Sequence, residues 1–396
     1  MAEGAQVWVA GVGMIPFRKP GDSPSYLEMG AQAVRQALAD AGLPYGDVQQ
    51  AYAGYVYGDS TSGQRALYEV GMTGIPVVNV NNNCSTGSTA LFLARQAVAS
   101  GLVDCALALG FEQMQPGALA MHWQDRPNAF ERFDELCERE AGGSGLPLAL
   151  RYFGGAGREH MARYGTRLET FAKVRAKASR HAANNPLALL RKVLSVDEVL
   201  QSPALWPGVL TRLMACPPTC GAAAALLVSK DYAARKGLKP GVRILGQAMV
   251  TDRPDTFGTS SMIDLVGFNL SAGAAAQVYE QAGVGPQDVD VCELHDCFAQ
   301  NELISYEALG FCGRGEGERF VDDERNTYGG DIVVNPSGGL LSKGHPLGAT
   351  GLAQCYELTR QLRGTAEATQ VDGARIALQH NLGLGGAAVV TLYGRA

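Results

Sequence analysis

The chain is 396 residues long with 46% hydrophobic and 18% charged residues, a globular composition with enough apolar material for two or more packed layers. A formal net charge of −6 leaves no basic field for nucleic acid, and no run approaches the roughly 18 consecutive apolar residues of a membrane span. Nine cysteines fall without a disulfide framework and residues 1–10 lack a secretory leader, so reduced thiols in the cytoplasm are expected. The ending Gly394-Arg395-Ala396 is no peroxisomal address, and that compartment would require a eukaryotic chain targeted by other means.

Taken in chain order, an Ala-rich amphipathic helix is expected to stop at Gly42, followed by Asp47-Val48 and an apolar strand. Asn79 to Gly101 reads as strand, polar loop around Cys84, and a helix of small residues. From about Gln113 to Leu210 the chain turns polar, aromatic and charged, with a basic stretch from Lys173 to Lys192. Gly221–Val228 then reads as a buried central strand. A second helix stops at Gly283, followed by Asp288-Val289 and a strand to Glu293. Asn335 to Gly364 pairs a Gly-rich loop around His345 with a helix from Ala349 to Leu362, and Gly383–Val390 reads as a last buried strand.

These segments match pairwise and in the same order, so the chain contains itself twice, with Cys84 and His345 in equivalent places. The first half carries about 99 extra residues, expected as a cap over the site. The expected units are 1–112 with 211–233, the inserted 113–210, and 234–396, in an α/β layer architecture.

Cys84 lies between a strand and the start of a helix, where unpaired N–H groups and the helix dipole are expected to favour the thiolate. Approximate two-fold symmetry brings His345 to the same centre and makes a Cys–His pair. A third loop, Glu293 to Phe298, places His295 and Cys297 two residues apart. A fourth, His380 to Gly386, has glycines that free backbone N–H groups for a ligand. Three of the six histidines fall in these loops, which favours a single site. Cys216 and Cys220 lack a second ligand pair at zinc spacing, and no metal is expected.

The four loops together resemble the thiolase superfamily, most closely its sterol carrier protein 2 type. The similarity runs from Gly11-Val12-Gly13-Met14 through Gly58-Asp59-Ser60, Asn326-Thr327-Tyr328-Gly329-Gly330 and Asn335-Pro336-Ser337-Gly338-Gly339 to the last strand. Ordinary thiolases carry Asn-Glu-Ala-Phe in the third loop and Cys-x-Gly in the fourth. Here stand His295-Asp296-Cys297-Phe298 and His380-Asn381-Leu382-Gly383, which moves the second catalytic thiol to Cys297. The resemblance implies a five-layered αβαβα fold, a cap that holds CoA, a tight homodimer, and no following carrier domain, since the chain stops just after Tyr393.

It also implies CoA-dependent retro-Claisen cleavage of a 3-ketoacyl-CoA, in degradation of fatty acids, branched acids or sterol side chains, with CoA as co-substrate and no permanently bound cofactor. Cys84 is then the nucleophile, His345 its base and Cys297 the enolate's acid. His295 and His345 would hold the enolate oxygen, and the N–H groups of Cys84 and Gly383 the tetrahedral oxyanion, with His380 touching the thioester or orienting another group. Lys173, Arg175, Lys177 and Arg180 are candidates for the CoA phosphates, against the reading of a solvated helix face. The alternatives are Claisen condensation by the same groups and a steroid side-chain retro-aldolase of this fold that needs a partner protein.

Overall fold

The computed structural model describes residues 5–115, 123, 125–142 and 145–396. Residues 1–4 and, within the expected cap, 116–122, 124, 143 and 144 lie outside the described residues. Local chemistry sets the helix limits. Ser25 caps the helix Tyr26–Ala41 in a reciprocal pair with Glu28, and Gly42 ends it at φ 66°, as Gly283 ends the helix Phe268–Ala282 at φ 67°.

The first-half strands are β1 (Val7–Met14), β2 (Gln50–Gly54), β3 (Val77–Val80) and β4 (Cys105–Glu112), followed by a small hairpin of β5 (Ala204–Trp206) and β6 (Leu210–Thr211), then β7 (Gly221–Ser229). The second half adds β8 (Val242–Val250), β9 (Val291–Glu293), β10 (Val333–Val334), β11 (Ile376–Gly383) and β12 (Ala387–Arg395). Their order is β10-β9-β11-β12-β8-β1-β7-β4-β2-β3. Read outward from the middle, both halves have the same pattern: β2 runs parallel to β3 and β4, β9 runs parallel to β10 and β11, and the other pairs are antiparallel. Among the described strands the two halves pair at Trp8 opposite Arg243.

Alternation along β7 shows how the layers form, because successive side chains leave opposite faces of a strand. Ala222, Ala224, Leu226 and Val228 pack in one core with the helix Tyr26–Ala41, whereas Ala223, Ala225 and Leu227 pack in another with the helices Thr86–Ala99 and Thr350–Arg363. These two helices therefore lie between the half-sheets, and Phe268–Ala282 covers β8 and β12 on the far side. The result is the five-layered αβαβα arrangement, with the central helices starting side by side.

Only small residues permit that approach. A Cβ on Gly351 would stand 2.1 Å from Ser88 Oγ and 2.3 Å from Ser88 N. Gly351→Ala is expected to cost about 3 kcal/mol of stability by overpacking, measured as a lower urea midpoint at unchanged m-value; an unchanged midpoint would show that the helices can separate freely.

Two features differ from the sequence reading. The apolar run Gly383–Val390 is not one strand: Gly383 closes β11, residues 384–386 turn with Gly385 and Gly386 at φ 89° and 94°, and β12 begins at Ala387. Three glycines in four residues favour a hairpin over a straight strand. His345 also sits further from its helix than Cys84 does, because Cys84 is two residues before Thr86 and His345 five before Thr350. Between β4 and β7 the chain forms helices 131–140, 148–164, 168–182 and 196–200, the second and third of which pack on the helix Ala299–Ala308 of the second half.

Candidate active site

Cys84 is presented by a turn that its neighbours tie in place. Asn83 takes the left-handed φ of 50°, Ser85 Oγ donates to Asn82 O at 2.8 Å, and Thr86 Oγ1 accepts from Asn82 N at 2.9 Å while donating to Asn83 O. Holding a non-glycine residue there costs about 1 kcal/mol or more, which these bonds offset. Burial, reinforced by the Glu112 carboxylate, pushes the Cys84 thiol up to about 12. The expected lowering is thus corrected: the backbone N–H groups of Cys84 and Leu384 do pull the thiol down, but a helix N-terminus contributes only about 0.3–1 kcal/mol and does not offset desolvation. The resting group is a thiol.

His345 is built as its base. Its Nδ1 lies 2.7 Å from Thr350 Oγ1, whose single proton is donated to Pro346 O at 3.0 Å, so the ring must carry its proton on Nδ1. Nε2 is left with a lone pair, and among the described residues it is buried without a hydrogen-bond partner. Burial holds the ring neutral, with its pKa lowered to about 3. The loop itself is pinned by His345 N–H donating to Thr219 Oγ1 at 3.0 Å.

His295 is built as a donor, and the chain of bonds that decides this starts at a backbone carbonyl. Gln379 Nε2 donates to Gly351 O and to Ser88 Oγ; Ser88 then donates to Asn381 Oδ1 at 2.8 Å. That fixes the Asn381 amide, whose Nδ2 donates to Cys84 O at 3.1 Å and meets His295 Nδ1 at 3.0 Å. His295 Nδ1 therefore accepts, and its proton sits on Nε2. The two imidazoles stand edge to face with centroids 5.0 Å apart, and one ligand atom each from Cys84, His295 and His345 lies within 4.8 Å of the others. A nucleophile, a base with a free lone pair and a neutral N–H donor converge on one point.

Residues 7–136 match the thiolase N-terminal domain, and residues 253–395 match the thiolase C-terminal domain-like family. Sterol carrier protein 2 of Bos taurus is 55% identical over 98% of this chain and 72% of that one. The chain belongs to the thiolase family. It is of the sterol carrier protein 2 type and is a thiolase-family acyltransferase. Two solved structures share its fold: the Ltp2-ChsH2(DUF35) aldolase, with a TM-score of 0.84 at 24% identity over 100% of this chain and 99% of that one, and human mitochondrial 3-ketoacyl-CoA thiolase in complex with CoA, with a TM-score of 0.76 at 17% identity and the same coverage.

The remaining sequence candidates are distributed unequally in this thiolase. Cys297 lies beside the site rather than in its converging cluster: its carbonyl accepts from Cys216 N at 2.9 Å, and burial followed by the neighbouring Cys216 and Cys84 sulfurs raises its thiol well above the ordinary range. His380 does not join the cluster. Its Nδ1 accepts from His295 N at 3.5 Å and its Nε2 lies 2.8 Å from Ser271 Oγ, so both nitrogens are occupied and it positions the His295 backbone. The fourth loop meets the nucleophile turn at Leu384, whose carbonyl accepts from Asn83 Nδ2 at 3.3 Å. A Cβ on Gly383 would stand 2.3 Å from Asn82 O, so its role is to let the fourth loop touch the nucleophile turn.

The basic run is corrected most. Arg175 is 2% exposed and bonds Ser342 Oγ at 2.6 Å; Lys177 is 2% exposed and pairs with Glu302. Freeing Lys177 for a phosphate would leave a buried carboxylate unpaired, a cost of about 3–5 kcal/mol. Lys173 pairs with Asp322 at 2.8 Å and Glu169 at 3.2 Å, and Arg180 alone of the four is exposed. The helix is not a solvated face either, since most of it is buried. Cys220 donates to Met114 O at 3.5 Å and shares no metal cluster with Cys216 among the described residues.

Sequence reasoning passed over Thr350, Asn381 and Glu112. The last is wholly buried at the end of β4 and accepts from Val56 N at 3.1 Å, Tyr57 N at 3.0 Å and Gly348 N at 2.9 Å, tying the His345 loop to the first half. Its signal was present: one carboxylate closing an otherwise apolar strand.

Proposed function

We propose that this acyltransferase cleaves 3-ketoacyl-CoA between its α and β carbons, using CoA as co-substrate and no permanently bound cofactor. The observation that carries the reading is the buried, unpartnered His345 Nε2 beside Cys84, opposite the His295 Nε2–H. Burial disfavours both charges, so thiol and imidazole stay neutral until substrate arrives and the ion pair arises together with bond formation. Cys84 sulfur then attacks the 3-keto carbon as His345 takes its proton. The carbon–carbon bond breaks, the acyl group stays on Cys84, and the leaving enolate oxygen is held by His295 Nε2–H and the His345 imidazolium. Cys297 protonates the enolate carbon, releasing acetyl-CoA or, from a 2-methyl substrate, propionyl-CoA. The Cys297 thiolate then takes the proton of incoming CoA, whose sulfur removes the acyl group, and the Cys84 thiolate released takes its proton back from the His345 imidazolium.

The fold it shares with a CoA-bound thiolase supports CoA as the second substrate. The same groups run Claisen condensation in reverse. A retro-aldol cleavage needs no nucleophilic sulfur, so the base aimed at Cys84 favours thiolysis over the activity named for the aldolase neighbour. A cytoplasmic homodimer in fatty, branched or sterol side-chain degradation completes the proposal. β3 is the sheet's edge, and Val78 and Met249 are exposed apolar side chains where a second copy can pair.

The test is a panel of acetoacetyl, straight medium-chain, 2-methyl-branched and sterol side-chain 3-ketoacyl-CoA with free CoA, followed by mass spectrometry. Shortened acyl-CoA that requires free CoA is the expected result. No cleavage anywhere on the panel, with CoA-independent cleavage of a 3-hydroxyacyl-CoA instead, would replace thiolysis by the aldol reading.

A further inference from the structure

Cys84, His345 and His295 offer one thiolate and two imidazoles around an open position, the ligand set of a catalytic zinc site. Tetrahedral zinc would hold such atoms about 3.3–3.6 Å apart by its bond lengths, so groups already within 4.8 Å need only small side-chain rotations. A second observation points the same way: His345 Nε2 is a buried lone pair with no partner, on a residue 5% exposed. The obstacle is the third ligand.

For His295 to bind a cation through Nε2, its proton must move to Nδ1 and find an acceptor there. Zinc-ligating histidines nearly always donate that second N–H to a carboxylate or carbonyl. Here the atom facing His295 Nδ1 is Asn381 Nδ2, itself a donor, at 3.0 Å. Turning the amide would set Asn381 Oδ1 against Cys84 O, which now accepts from Nδ2 at 3.1 Å, and would deprive Ser88 Oγ of its acceptor. Donor faces donor if the amide stays, and acceptor faces acceptor if it turns.

We infer that the Asn381 amide excludes metal: it keeps Cys84, His345 and His295 as a closed site for a zinc-class divalent cation, which one acceptor atom in place of its NH2 opens. Asn381 is thus a positioning residue with two effects. It directs the His295 proton into the site, where a substrate oxygen can use it, and the same bond denies that nitrogen to a soft cation. Opening the site releases the Cys84 thiol proton and shifts the His295 proton to Nδ1, facing the new carboxylate. The inference rests on the hydrogen-bond chain alone and stands apart from the reaction assigned above.

The experiment measures Zn2+ binding to metal-free wild type and Asn381→Asp by competition with a chromophoric chelator, with no activity readout. Asn381→Asp is expected to bind one Zn2+ per chain at least about tenfold tighter than wild type. Adding Cys84→Ala should remove the gain, and Co2+ in place of Zn2+ should show a thiolate charge-transfer band only while Cys84 is present. Equal affinities for wild type and Asn381→Asp, or a gain that survives Cys84→Ala, would overturn the inference. Replacing Asn381 costs the Cys84 carbonyl its donor, so cooperative unfolding is checked first. Should Asn381→Asp fail that check, Asn381→Ala removes the opposing NH2 and leaves room for a water oxygen to accept from His295 Nδ1–H, and a smaller Cys84-dependent gain is expected or the inference falls.

Discussion

Cys84→Ala is expected to lower the thiolysis rate by about 10^4-fold or more, and His345→Gln by about 10^2–10^4-fold, with the double variant no worse than the worse single one. The non-additivity follows from the geometry. His345 Nε2 has no partner besides the space that Cys84 faces, so the base has nothing to act on once the sulfur is gone. Thr350 keeps the proton on Nδ1 in wild type, and glutamine cannot reproduce a lone pair at Nε2. Intact-mass spectrometry of enzyme quenched during turnover should show the acyl group on wild type and on neither single variant. A His345→Gln enzyme within tenfold of wild type would remove His345 from the base role and leave the nucleophile to another group.

Acid should weaken the fold itself. Burial lowers His181 and His345 to about 3 and His380 to about 4, against about 6.5 in an unfolded chain. The unfolded chain binds the extra protons, so this stability is complete above pH 6.5 and is lost as pH falls toward the folded values. At pH 5 each of the three takes away about 2 kcal/mol. Glu112 acts with the opposite sign. Burial raises it to about 7, so the folded chain takes its proton first and gains about 2 kcal/mol between pH 7 and 5. The four groups together leave a net loss of about 4 kcal/mol at pH 5, a large part of an ordinary stability.

Thermal melts followed by circular dichroism should therefore give a lower Tm at pH 5 than at pH 7.5. Glu112→Gln, which lacks the compensating proton, should steepen the fall, and His380→Gln should flatten it. A Tm that rises from pH 7.5 to pH 5 would show that the histidines are not held neutral.

What the residues determined alone was local or periodic. The helix stops at Gly42 and Gly283, the duplication, the cysteine beside a helix start, and the convergence of the Cys84, His295, Cys297 and His345 loops all follow from patterns within a few positions, repeated at matching places in two halves. Backbone preference and side-chain period act over that range, which is why they can be read from a sequence. Tertiary structure decided whatever depends on a distant partner. Lys177 reads as a surface cation until Glu302, 125 positions away, buries it. The thiolate-favouring loop around Cys84 holds a thiol because the surrounding core desolvates it and the Glu112 carboxylate repels its negative charge. Most of all, the protons of the site are placed from afar: Asn381, 297 positions from Cys84, decides which nitrogen of His295 faces the substrate. A histidine in a sequence offers two tautomers of nearly equal energy, and only the hydrogen-bond partner that folding brings to its other nitrogen selects one.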